Sequence, residues 1–281
     1  MKAFVRRILR RDGLDLALHV QEGQGPLVFF QHGLCGDAGQ PAAVFPDGGG
    51  VRLAVLECRG HGESPAGAAD AFSLATFADD LAAAIEESSD APCIVGGISM
   101  GAAIAMRLAC LRPELVSALV IARPAWTIHA APGNMAPNLL VGQILRQTPA
   151  PDEIGSFLVS DTGLMLAEQA PDNLASLTGF FSRQPRAVTA ELLTRISRDG
   201  PGICEAQLAA LAMPTLVIGH GEDVIHPLSH ARQLAAAIPG ASLREIPPKA
   251  QGKNAYESAF RTALSHFIQE ILHDPSLNRL V

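Results

Sequence analysis

The sequence predicts an α/β fold: a mostly parallel sheet with helices on both faces and a helical insertion. Three observations predict it. Short apolar runs alternate with helical spacings through the first 122 residues. Residues 124 to about 205 lose that alternation and carry prolines and short amphipathic pieces instead. The alternation then resumes to the end. Strand–helix alternation implies parallel strands joined by right-handed crossovers, which place helices on both faces.

Residues 14–20, 27–31 and 51–56 read as strands, the second stopped by Gly33. Residues 74–85 have helical spacing, with Asp79, Asp80, Glu86 and Glu87 on the outer side. Residues 93–95 form a short apolar strand expected to stop at Gly96-Gly97, and residues 100–111 an Ala-rich helix. Residues 115–121 are again strand-like. Between 124 and 205 only amphipathic helical pieces stand out, at 139–147 and 188–197. A strand at 215–218, a helix at 226–238 and a strand at 242–246 follow. The last helix presents Tyr256, Phe260, Leu264, Phe267 and Ile271 on one face. The expected organisation is a core made of 1–123 and 206–281, with 124–205 a helical cap. Active sites of open parallel sheets lie at the carboxyl ends of the strands. An insertion leaving from such an end would roof that place.

Composition excludes several classes. Apolar residues are 48% and charged residues 17% of the 281, which is a globular balance with a large core. The net charge of −7 is the wrong sign for a nucleic-acid face or a polybasic membrane anchor. The basic stretch 1–11 lacks a following apolar region, so no secretory signal is expected. No run of about 18 apolar residues predicts a membrane span. Five scattered cysteines without a Cys-x-x-Cys spacing read as free thiols of a reducing cytosol, with no zinc site. The expectation is a cytoplasmic protein, monomeric or homodimeric, that needs no metal or cofactor. Its partner is a small-molecule substrate or ligand, with no nucleic acid and no membrane.

Gly97-Ile98-Ser99-Met100-Gly101 is a G-x-S-x-G sequence between the strand at 93–95 and the helix at 100–111. That setting is the one in which the motif forms a nucleophile elbow. Ser99 would take a strained backbone conformation at the turn. Side chains at 97 and 101 would collide there, hence the glycines. The Met100 N–H would then point where the Ser99 hydroxyl points. A loop at His32-Gly33 can offer the Leu34 N–H as a second donor, and two such donors stabilise a developing oxyanion. His32 itself reads as a brace of that loop. His61, in Arg59-Gly60-His61-Gly62, reads as a satisfied loop histidine.

With these motifs in order, and with Gly221-Glu222-Asp223 followed by Pro227, the chain resembles the α/β-hydrolase fold family in its form with a helical cap. The resemblance spans almost the whole chain. It implies a sheet of eight strands and a triad in the order Ser, acid, His. The acid it implies is Asp223, after the strand at 215–218, with Glu222 the fallback.

The histidine the resemblance implies is missing. It belongs in the loop after the last strand, about 28 residues beyond the acid, and that count lands on Gln251. No histidine lies between His230 and His266, and His266 sits inside the last helix. Glutamine cannot take a proton, and losing the base of such a centre costs about 10⁶-fold. Three explanations are open. An engineered His-to-Gln change is one, though the glycines expected before the histidine are absent too. A relocated base is the second, with His226, His129, Lys249 and Lys253 as candidates. The third is lost hydrolysis, with the pocket serving a ligand-binding protein or a lyase-type enzyme. Each candidate base also has an ordinary reading: His226 packing at a helix start, His129 solvated, the two lysines on the surface. Arg183, Arg186, Arg195 and Arg198 could greet an anionic substrate or form a solvated helix face. Trp126, at the cap's start, could line the pocket or pack in the core. The function expected is a serine hydrolase acting on an ester, thioester or lactone of a small organic acid.

Overall fold

A computed structural model describes residues 3–48, 50–147 and 152–273. Eight strands form one sheet: β1 (Phe4–Arg11), β2 (Leu14–Gln21), β3 (Leu27–Gln31), β4 (Arg52–Leu56), β5 (Cys93–Ile98), β6 (Val116–Ala122), β7 (Thr215–Gly219) and β8 (Ser242–Glu245). Their order is β1-β2-β4-β3-β5-β6-β7-β8. β1 pairs antiparallel with β2, and β2 with β4, while every other pairing is parallel. The eight-stranded, mostly parallel sheet is the predicted one.

Both faces of the central strands β3, β5, β6 and β7 are buried, and these parallel strands are apolar at successive positions rather than alternate ones. On β3, Leu27 and Phe29 face one core and Val28 and Phe30 the other. The first core packs against the helices Leu74–Ser88 and Met100–Leu111. The second packs against Lys253–His273 through Tyr256, Phe260, Leu264, Phe267 and Ile271, the face read from the sequence.

Two strands differ from expectation. β1 was not foreseen, since its FVRRILRR sequence lacks an apolar face and most of it is exposed. The turn at Asp12-Gly13 makes it: both residues have positive φ, 49° and 76°, the conformation of a tight two-residue hairpin. The arginines then suit an outer strand with an open edge. β5 runs on through Gly96-Gly97 to Ile98 instead of stopping. Its glycines pair with Phe30 and Gln31 on one side and Val120 and Ile121 on the other. A Cβ on Gly96 would lie 2.7 Å from the Val120 Cβ, so close strand packing, not a strand end, explains that glycine.

Between β6 and β7 the described residues form helices only, among them Ala136–Gln147, Pro171–Gly179 and Arg186–Ile196. This is the helical insertion, leaving from the carboxyl end of β6. Trp126 at its start is fully buried, and its Nε1–H donates to the Asp199 carbonyl at 2.9 Å. It packs in the core and does not line the cavity described below. No helix among the described residues is long and apolar enough to cross a membrane.

Candidate active site

Ser99 sits between β5 and the helix Met100–Leu111 with φ 57° and ψ −109°. A non-glycine residue there is strained, and such strain persists only where the surroundings impose it. They do so here. The Ser99 N–H donates to the Ala122 carbonyl at 2.9 Å. A Cβ on Gly97 would come within 2.5 Å of the Gly101 backbone, and one on Gly101 within 2.4 Å of the Gln31 carbonyl oxygen. The glycines let the helix press against the sheet while the serine side chain is lifted clear.

The Ser99 hydroxyl opens on a cavity of about 190 Å³. Leu34 and His226 line it from the core, and Met135, Asn138, Asn173, Leu177 and Phe180 from the insertion. Met100 is the first residue of its helix, where N–H groups have no intrahelical partner. His32 holds the loop carrying Leu34. Its Nδ1 lies 2.8 Å from the Gly33 carbonyl, and its Nε2 accepts from the Cys58 N–H at 3.1 Å. His61 bonds the Arg59 carbonyl at 3.0 Å and stacks near His32 beneath the loop.

His226 is the candidate base that reaches the serine. Its Nε2 lies 2.8 Å from the Ser99 Oγ, and its Nδ1 lies 2.9 Å from the Asp223 Oδ2. With the proton on Nδ1 donated to the carboxylate, Nε2 is left as acceptor for the serine hydroxyl. Asp223 also shapes the backbone that delivers the ring. Its Oδ1 accepts from the Ile225 N–H at 3.1 Å and the His226 N–H at 3.0 Å. One carboxylate therefore closes a turn onto its own residue i+3 and bonds that residue's imidazole.

None of the other candidates bonds the serine. His129 is exposed and does not line the cavity. Lys253 is exposed, its ammonium 3.8 Å from Glu257. Lys249 is half-buried at the cavity wall, with no hydrogen bond to Ser99. Gln251, at the family's histidine position, is exposed and donates to Glu222 at 3.1 Å. Among the insertion arginines, Arg186 pairs with Glu153 and Arg195 with Glu191, and none of the four lines the cavity.

Three neighbours of the acid were not foreseen. Arg123, just past β6 with φ 46°, donates from Nη2 to the Asp223 Oδ2 at 2.6 Å. That same nitrogen lies 3.1 Å from the His226 Nδ1. With the Nδ1 proton directed at Asp223, this contact is a close positive neighbour and not a hydrogen bond. Asn173, from the insertion, donates to the Asp223 Oδ1 at 2.9 Å and accepts from the Val224 N–H at 2.7 Å. His220 has its Nε2 3.6 Å from the Asp223 Oδ2 and sits edge-on to Tyr256. The signal available in the sequence was Asp-x-x-His itself, an acid and a base one turn apart directly after a strand.

Burial alone would raise the Asp223 carboxyl, but the charges and hydrogen bonds of His226 and Arg123 hold it well below the usual carboxylate range. Burial pushes His226 below the ordinary histidine value; Asp223 opposes that and Arg123 adds to it. Burial raises the Cys35 thiol in the cavity wall to about 12, so it stays a thiol beside the serine. Among the described residues, no group of three or more His, Cys, Asp or Glu side chains is arranged to hold a metal ion.

Comparison with known proteins identifies the fold family. The model of the alpha/beta hydrolase fold family matches residues 26–251. A Klebsiella pneumoniae protein named "Putative carbamate hydrolase RutD" is 29% identical over 232 residues, covering 79% of this chain and 83% of its own length. A Mycobacterium tuberculosis protein named "Putative non-heme bromoperoxidase BpoC" is 30% identical over 206 residues, 70% of this chain and 75% of that one. The crystal structure of the enol-lactonase from Burkholderia xenovorans LB400 superposes with a TM-score of 0.68 at 20% identity, over 92% of this chain and 97% of that one.

Proposed function

The chain belongs to the α/β hydrolase fold family, and on that premise we propose that it is a serine hydrolase of small esters, thioesters or lactones whose base is His226. One observation carries the reading: a single histidine bridges the Ser99 hydroxyl at 2.8 Å and the Asp223 carboxylate at 2.9 Å. Ser99 Oγ attacks the carbonyl carbon while His226 Nε2 takes its proton. The oxyanion is stabilised by the N–H groups of Leu34 and Met100, each worth roughly 3 kcal/mol. The tetrahedral intermediate expels the alkoxide or thiolate, which receives the proton from His226. Water, deprotonated by the same ring, then releases the acid from the acyl-serine. Asp223 holds the tautomer and stabilises the imidazolium. Residues 124–205 act as the cap that encloses the substrate.

The reading as a non-hydrolytic relative rests on an absent base, and His226 fills that role. The relatives named for carbamate and lactone hydrolysis support acyl chemistry here without fixing the substrate. A fluorophosphonate probe is expected to label the protein within minutes and to leave Ser99→Ala unlabelled. An unlabelled wild-type protein sinks the proposal.

The acid limb of the kcat/KM profile should lie below the ordinary histidine value of about 6.5. The base must be neutral, and burial together with Arg123 lowers His226 despite Asp223. Activity is therefore present above that pKa and lost as pH falls through it. The groups facing the ring are Asp223, Arg123, His220 and His230, with Lys249 across the cavity. Arg123→Gln removes the nearest cation, so the acid limb should move to higher pH. A limb that stays in place removes Arg123 from this role.

A further inference from the structure

The helix Ala136–Gln147 buries one face, made of Asn138, Val141, Gly142 and Leu145. The spacing is that of an apolar stripe, and an apolar residue is expected at its first position too. Asparagine stands there instead, 5% exposed, at the wall of the Ser99 cavity. Its Oδ1 is buried without a hydrogen-bond partner. Asn173, also in the wall, spends both ends of its amide on Asp223 and Val224 and needs nothing more. A buried unpaired carbonyl is costly, and an unpaired group in a binding cavity is explained when a ligand completes it.

We propose that Asn138 is a specificity-determining residue whose Oδ1 accepts a hydrogen bond from a hydroxyl or amide N–H on the substrate, outside the bond being cleaved. The substrate class is thus a small ester or lactone bearing a second, hydrogen-bond-donating group. This rests on the proposed function for the chemistry, and on Asn138 alone for the selectivity. A site built around such a donor rejects the analogue that lacks it, because the protein's own polar group is then left unpaired. The cavity is smaller than the roughly 300–1,000 Å³ common for drug-sized ligands, so the extra group must be close to the ester.

The test uses three pairs of short esters, each hydroxylated compound against the counterpart with a methyl in place of the hydroxyl: methyl lactate and methyl isobutyrate, methyl 3-hydroxybutyrate and methyl 3-methylbutyrate, 2-hydroxyethyl acetate and propyl acetate. For at least one pair, wild-type kcat/KM should favour the hydroxylated ester by about tenfold or more. In Asn138→Leu that ratio should fall to within about twofold of one, the loss falling mainly on the hydroxylated ester. The melting temperature of the variant should be unchanged or raised, because the orphan carbonyl is gone. Ratios near one for all three wild-type pairs overturn the inference. So does a ratio that survives Asn138→Leu, or a variant that melts lower and loses both members equally, as a structural asparagine would. Calorimetry on Ser99→Ala separates this from the hydrolase reading. Preferential binding of a hydroxylated ester, abolished by adding Asn138→Leu, supports the inference even without turnover. Turnover without preference overturns the inference and leaves the hydrolase reading standing.

Discussion

Replacing His226 by alanine should lower kcat/KM by about 10⁴- to 10⁶-fold on any ester the wild-type protein cleaves. The cost is that large because the serine hydroxyl is a weak nucleophile and has no other base within reach. Lys249 is the remaining titratable wall residue of the notional candidates, and it makes no hydrogen bond to Ser99. Gln251→Ala should stay within about twofold of wild type, the range of a surface substitution. Its side chain is exposed and bonded to Glu222, not to the Asp223–His226–Ser99 line. Restoring the family's histidine in the double variant His226→Ala/Gln251→His should not rescue activity. Both oxygens of the acid are already engaged, Oδ1 by Asn173 and the N–H groups of Ile225 and His226 and Oδ2 by Arg123. A His226→Ala protein retaining more than about a hundredth of wild-type activity would overturn the assignment.

The layers of the fold were readable because burial on both faces writes continuous apolar strands between amphipathic helices. β1 was not, because its stability comes from a turn at Asp12-Gly13 and from pairing with β2, which its own composition does not report. The elbow was readable because steric necessity at positions 97 and 101 demands glycine. The acid's position was readable by resemblance. The base was harder. Resemblance sends attention 28 residues beyond Asp223, to an exposed glutamine, while the ring that bonds the Ser99 hydroxyl lies three residues away. Asp223 also accepts the backbone N–H of His226, a local turn invisible without coordinates. Arg123 and Asn173 reach the acid from 100 and 50 residues away in sequence, so no local pattern could reveal them.

Asp80→Ala should destabilise the protein by about 3–5 kcal/mol, the cost of leaving a buried charge without its partner. Asp80 is 1% exposed on the inner side of the helix Leu74–Ser88, although helical spacing assigns it outward. Its carboxylate receives the Arg59 Nε at 2.7 Å and Nη2 at 2.8 Å, a bidentate pair, and Arg11 reaches it at 3.2 Å from β1. The pair fastens the turn after β4 to the helix and so supports His61 and His32 under the Leu34 loop. Removing Asp80 strands the Arg59 guanidinium, which is itself only 4% exposed. Arg59 would retain Asp12 at 2.6 Å, but that carboxylate is 69% exposed and its pair is screened by solvent. Asp12→Ala should therefore shift the midpoint far less than Asp80→Ala does. The double variant Asp80→Leu/Arg59→Met should recover most of the loss, since a well-packed apolar pair of similar volume replaces the ions without an orphan. Urea midpoints with an unchanged slope measure all three. An Asp80→Ala midpoint indistinguishable from that of Asp12→Ala would mean that the buried ions contribute no more than surface ones.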